Sequence, residues 1–70
     1  MYFDNETLSS IVGTLEYTYG ISIKIKQANL AEKTFRGVVN NRDLASLLHE
    51  LAFVMEFQYT KEANGSISIY

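Results

Sequence analysis

Seventy residues, 47% of them apolar, with no cysteine and a formal net charge of -2, make one small folded domain and exclude disulfide and thiolate-metal frameworks. A domain of this length buries only about 60% of the surface its unfolded chain exposes, so its stability is modest. The acidic balance, eight acidic residues against six basic ones, argues against non-specific nucleic-acid binding, which needs a basic patch facing phosphates. Lys24, Lys26 and Lys33 are the nearest thing to such a patch and read as a solvated face. No apolar run reaches the roughly 20 residues of a membrane-spanning helix. No signal peptide is expected, since Met1 leads straight into folded-looking sequence.

In chain order, Tyr2 and Phe3 read as a short strand. Asp4 and Asn5 are good helix caps, because a side-chain oxygen accepts from the free N–H groups of a first turn, and Glu6 suits the positive end of the helix dipole. Leu8, Ile11, Val12, Leu15 and Tyr19 recur at helical spacing, and Gly20 provides the left-handed stop. Ile21 to Lys26 alternates apolar and polar residues, the pattern of a half-buried strand. Gln27 to Lys33 breaks the alternation, with Leu30 filling a core gap while Asn29, Glu32 and Lys33 stay wet. Thr34 to Val39 is the next strand, with Phe35, Gly37 and Val39 on one face. A glycine inside a strand suggests a bulge or a close backbone approach.

The stretch Asn40 to Leu51 organises the second half. Asn40 or Asn41 is the expected cap, Asp43 lies in the first turn, and Leu44, Leu47, Leu48 and Leu51 form the apolar stripe. Glu56 to Thr60 and Ser66 to Ile69 alternate again. Parity decides the turn between them. Burying Phe57, Tyr59, Ile67 and Ile69 on one face requires Tyr59 opposite Ile69 and Lys61 opposite Ile67. The loop is then Ala63-Asn64-Gly65, with Gly65 left-handed in a bulge.

A shift of 36 positions superposes the halves. Phe3 falls on Val39, Asn5 on Asn41, Leu8 on Leu44, Ile11 on Leu47, Val12 on Leu48 and Leu15 on Leu51. Tyr17 then falls on Phe53, Ile21 on Phe57 and Ile23 on Tyr59. The expected architecture is α+β: two βαβ-type units in the order β-α-β-β-α-β-β, with two helices packed between two small sheets. The last strand is expected to pair with the second unit.

The chemistry of enzymes is not visible. His49 is the one histidine and sits beside Glu50 without the spacing of a metal motif. Asp4, Glu6, Asp43 and Glu50 are imaginable as acid pairs, but capping accounts for the residues at helix starts. No serine has a nucleophile-elbow context, and the four glycines are too scattered to cradle phosphate. Tyr17, Tyr19, Phe53, Phe57 and Tyr59 are placed like core rather than a base-stacking platform. No catalytic, cofactor or metal residue is assigned. The remaining expectation is protein interaction, through strand edges at Tyr2, Tyr70 and Thr34–Val39, and through Arg42, His49 and Glu50, exposed positions that the first unit does not match.

The order of these core residues resembles a known family: Phe3-Asp4-Asn5, Tyr19-Gly20-Ile21-x-Ile23, Phe35-x-Gly37, Asn41-x-x-Leu44-x-x-Leu47-Leu48-x-x-Leu51, Phe57-x-Tyr59 and Ile67-x-Ile69. It is similar to the C-terminal domain of FecR-type anti-sigma factors, and in turn to the secretin and TonB N-terminal short domain (STN). The resemblance implies that residues 1–70 are the C-terminal periplasmic domain of a longer protein, tethered to the inner membrane by a helix outside these residues. It implies a partner, the N-terminal signalling domain of a TonB-dependent outer-membrane receptor. A sigma factor would be bound only through parts of the protein absent here, with no nucleic acid, no small-molecule substrate and no cofactor. The alternative is the signalling domain of a receptor or secretin itself. A single membrane helix upstream marks the first, and a plug and β-barrel downstream the second.

Overall fold

The 36-residue repeat is visible residue for residue in the computed structural model, which describes residues 1–40 and 43–70. The elements are β1 (Tyr2–Thr7), α1 (Leu8–Tyr19), β2 (Ile23–Ile25), α2 (Ala28–Ala31), β3 (Thr34–Val38), α3 (Leu44–Met55), β4 (Tyr59–Lys61) and β5 (Ile67–Ile69). The bounds of α1 shifted by 36 are those of α3, and those of β2 are those of β4. The fold is α+β, with five strands in two small sheets. One sheet is the antiparallel pair β1–β3, and the other has the order β2-β5-β4. Each unit therefore sends its first strand to one sheet and its second strand to the other.

A single apolar core joins the sheets and helices. Phe3, Leu8, Ile11, Val12 and Leu15 meet Ile23, Leu30, Leu47, Leu48, Leu51, Ile67 and Ile69 within it. Leu30 is buried, as its isolation in a polar stretch predicts, and the segment around it forms the short helix α2. Lys33 does not stay in water: it is half-buried and its Nζ donates to the Met55 carbonyl at 3.0 Å, taking up one of the free acceptors that end α3.

The helices begin two or three residues later than cap preference suggests. β1 continues through Thr7, because Glu6 and Thr7 pair with Phe35 and Thr34, and sheet pairing outcompetes the local caps Asp4 and Asn5. Asn5 instead adopts φ 55 where the register of β1 slips by one residue, a bulge. The N-cap of α1 is Thr7, whose hydroxyl accepts from Ser10 N–H at 3.1 Å; that of α3 is Asp43, accepting from Ser46 N–H at 3.1 Å. Glu6 lies ahead of α1 rather than within its first turn, and its carboxylate accepts from the Ser10 hydroxyl at 3.0 Å. Asn40 precedes α3 without capping it, and Asn41 lies outside the described residues. Gly20 closes α1 in the left-handed region at φ 65, and Glu56 closes α3 the same way at φ 58.

The β4–β5 register follows the parity argument, and Gly37 marks the close approach that a glycine inside a strand suggests. Tyr59 stands opposite Ile69 and Lys61 opposite Ile67, with Gly65 at φ 91 in the three-residue loop. Gly37 is paired with Phe3 and covered by the Phe35 ring, whose tip would lie 3.2 Å from an added Cβ. The two rings, 5.9 Å apart, meet edge to face.

The last strand departs from expectation. β5 pairs antiparallel with β4 and also parallel with β2, so it belongs to both units. Ser68, read as a solvent-facing residue, is buried because β5 is the central strand, and its hydroxyl donates to Glu62 at 3.0 Å.

Two substitutions separate these causes. The Ser46 backbone N–H, with the Ser46 hydroxyl second, holds the Asp43 carboxyl below its ordinary value of 3.8. A depressed folded pKa gives stability that is complete above the unfolded value and lost as pH falls through the folded one. Asp43→Ala is therefore less stable than wild type at neutral pH, and denaturant midpoints converge on acidification below 3.8. The equivalent Thr7→Ala deficit stays constant over the same range, because a hydroxyl does not titrate there. Glu56→Gly, which gives unit two the stop of unit one, raises stability by on the order of 1 kcal/mol in chemical denaturation, since a Cβ is disfavoured at φ > 0.

Candidate protein-interaction surface

Among the described residues, no cluster of three or more metal-ligating side chains forms. Asp4 lies 3.6 Å from Arg36 across the exposed sheet β1–β3, a surface ion pair of little energetic weight. Glu6 and Asp43 serve the helix starts, and Glu50 is half-buried on α3. His49 is exposed on the same helix. These carboxylates are thus spread over β1, the N-terminus of α3 and its outer half.

The residues expected to meet a partner lie on different elements. Tyr2 is exposed on β1 opposite Val38, which is also exposed. Tyr70 follows β5 in the other sheet, its ring partly exposed and its backbone locked in a reciprocal pair with Gln58 at 2.8 Å each way. Both bonds extend the β4–β5 ladder, so Tyr70 presents a side chain and not a free edge. Arg42 lies outside the described residues. His49 and Glu50 share the outward half of α3.

That half of α3 carries a residue read as core. Phe53 is 83% exposed, and its repeat equivalent Tyr17 on α1 is 93% exposed. Both follow the last buried leucine of the helical stripe, Leu15 or Leu51, by two positions. At 3.6 residues per turn that spacing points nearly opposite to the stripe. Tyr19 and Tyr59 are half-buried against the core, and Phe57 is buried, so the core reading is right for them and wrong for Tyr17 and Phe53. Val54 extends the apolar surface beside Phe53. Aromatic side chains held out in this way are the type enriched at the centres of protein interfaces.

A second feature lies between α3 and β4. Ile21, Leu44, Ala45, Leu48, Tyr59, Lys61, Gly65 and Ile67 line a mainly apolar cavity of about 290 Å³. A shallower hollow beside it is bordered by Gly20, Ile21, Ser22, Asn64, Gly65 and Ser66. The α1–β2 turn, the β4–β5 hairpin and the first turns of α3 thus meet around one opening.

The fold has solved relatives. Two crystal structures of a predicted anti-sigma factor from Parabacteroides distasonis, at 1.65 Å and 2.50 Å resolution, match with a TM-score of 0.86 each, at 24% and 25% identity. The match covers 100% of this chain and 32% of theirs, so these seventy residues span about a third of those proteins. No curated protein matches. The family model described as "FecR, C-terminal" matches residues 1–69. With the match running through both repeat units and the closing strand β5, the chain belongs to the family of FecR C-terminal domains.

Proposed function

We propose that this domain is the periplasmic signal-relay module of an anti-sigma factor. In this reading it contacts the N-terminal signalling domain of a TonB-dependent outer-membrane receptor and, through parts of the protein outside these residues, regulates an extracytoplasmic-function sigma factor. The observation that carries the reading is the family match over residues 1–69, joined to a fold shared with an anti-sigma protein. A fold alone does not fix a function, so the surface has to agree. A binding role draws support from Tyr17 and Phe53, large aromatic side chains held exposed on the two helices.

Compartment and anchoring follow from the same reading. No described helix is long and apolar enough to cross a membrane, so the tether it requires is a separate segment. The role is non-enzymatic: the domain acts by binding.

Isothermal titration of the chain against the signalling domain of the cognate receptor is expected to show saturable heat. Phe53→Ser weakens it if the outer face of α3 contributes, while leaving the thermal midpoint close to wild type, because the side chain buries little on folding. Absence of heat and of amide chemical-shift changes at millimolar concentration sinks the relay reading.

A further inference from the structure

The repeat gives the domain two equivalent strand edges, and the chain finishes them differently. In β2, Ser22 C=O accepts from Ile67 and Lys26 N–H donates to Ile69, so the intervening Ile23 and Ile25 turn their backbone groups away from β5. The outward N–H of Ile23 is taken by Glu16 Oε2 at 2.8 Å. That carboxylate, reaching down from α1, occupies one of the two donors, Ile23 and Ile25, that an incoming strand would use.

In β4, Gln58 and Tyr70 exchange both backbone bonds, and Glu62 donates to Ser66. The alternation of an antiparallel ladder then turns the N–H and C=O groups of Tyr59 and Lys61 outward. Tyr59 is the repeat equivalent of Ile23. The equivalent of Glu16 is Ala52, whose side chain has no acceptor. Among the described residues nothing takes the outward groups of Tyr59 and Lys61.

The other sheet offers less. β1 is bent by the bulge at Asn5, which is a device that discourages strand addition. β3 is open, but neither cavity reaches it. The 290 Å³ cavity instead reaches β4, walled by Leu44, Ala45 and Leu48 of α3, by Tyr59, Lys61, Gly65 and Ile67 of the β4–β5 hairpin, and by Ile21 ahead of β2.

We propose that the outer edge of β4 accepts an extended segment of a partner protein as an added strand. The segment carries a large apolar side chain that enters the α3–β4 cavity, and an acidic side chain two residues away that faces Lys61. Each part of this description has a cause. Open N–H and C=O groups at Tyr59 and Lys61 specify an extended backbone. Apolar walls specify the apolar side chain. Tyr59 and Lys61 share a face, so the residues that oppose them are also two apart, and opposite charges are favoured in such cross-strand positions. A second copy of β4 is a poorer occupant, since antiparallel pairing brings another lysine to the same short edge. The edge chemistry stands on the geometry; that the strand belongs to a receptor signalling domain rests on the relay reading above.

The test uses the isotope-labelled chain and a blocked peptide of about seven residues, alternating threonine with leucine and glutamate so that Leu and Glu share one face. Expected are saturable shifts at Leu44 and Leu48 and slowed exchange of the Tyr59 and Lys61 amides. Ala52→Glu, which installs the plug of unit one, weakens the peptide by about tenfold or more. Glu16→Ala leaves it unchanged while speeding exchange at Ile23. Lys61→Glu, at an exposed site that does not threaten folding, reverses the preference in favour of a peptide with lysine in place of glutamate. Perturbation confined to other surfaces, no saturation at millimolar peptide, or insensitivity to Lys61→Glu overturns the proposal. With the receptor domain as probe, binding that protects only α3 outer-face or β1–β3 amides overturns the edge assignment and leaves the relay reading intact. No binding by the receptor domain, with peptide binding preserved, fails the relay reading and leaves the edge assignment standing.

Discussion

The backbone ladder of β5 is the interaction on which the rest depends. β2 and β4 are equivalent strands of two repeat units, and they run antiparallel to one another, because β5 is parallel to the first and antiparallel to the second. A space one strand wide separates them. β5 fills it by dividing its hydrogen bonds by parity: Ile67 and Ile69 bond to β2, whereas Ser66 and Tyr70 bond to β4. The same alternation sends the side chains of Ile67 and Ile69 into the common core. Without β5, neither second strand has a partner and the core is open on one side. The repeat alone is therefore an incomplete domain, and the closing strand is the component that makes the two halves one cooperative unit.

Much of this was legible, and the exceptions have physical causes. Helical stripes were readable because four apolar residues in each half recur at a period that no strand supports. The β4–β5 register followed from parity, since a one-residue slip would turn every core side chain outward. The caps were misplaced because Asp4 and Asn5 have strong local preferences, while Glu6 and Thr7 have a long-range pairing with β3 that no local pattern records. The parallel contact with β2 was invisible for the same reason. Tyr17 and Phe53 were misread by hydrophobicity, although their angular position was in the sequence: two residues beyond Leu15 and Leu51, a helix faces away from its stripe. That signal was sufficient, and the repeat reinforced it by placing an aromatic at the same outward position twice.

The candidate surface was less legible than the core, because surfaces are specified by what is absent as much as by what is present. Tyr2 and His49 are both exposed, and they lie on different elements, β1 and α3. The contact between Glu16 and Ile23 joins residues seven apart through a carboxylate and a backbone N–H. Sequence spacing does not reveal it, since it depends on how α1 crosses the end of β2. Its counterpart in the second unit is an alanine, which carries no signal at all until the two units are superposed.

That comparison explains how a repeated fold acquires a single direction. If both units were finished alike, the three-stranded sheet would offer two equivalent edges. Two open edges on a small sheet invite uncontrolled self-association, and two plugged ones weaken strand addition to that sheet on both sides. One carboxylate at Glu16 and one methyl at Ala52 distinguish the two edges from half-buried positions beside the leucine stripe, Ala52 packing against the core from there. The repeated leucines and isoleucines hold the shape, and the differences between the units are where a partner can tell one side of the domain from the other.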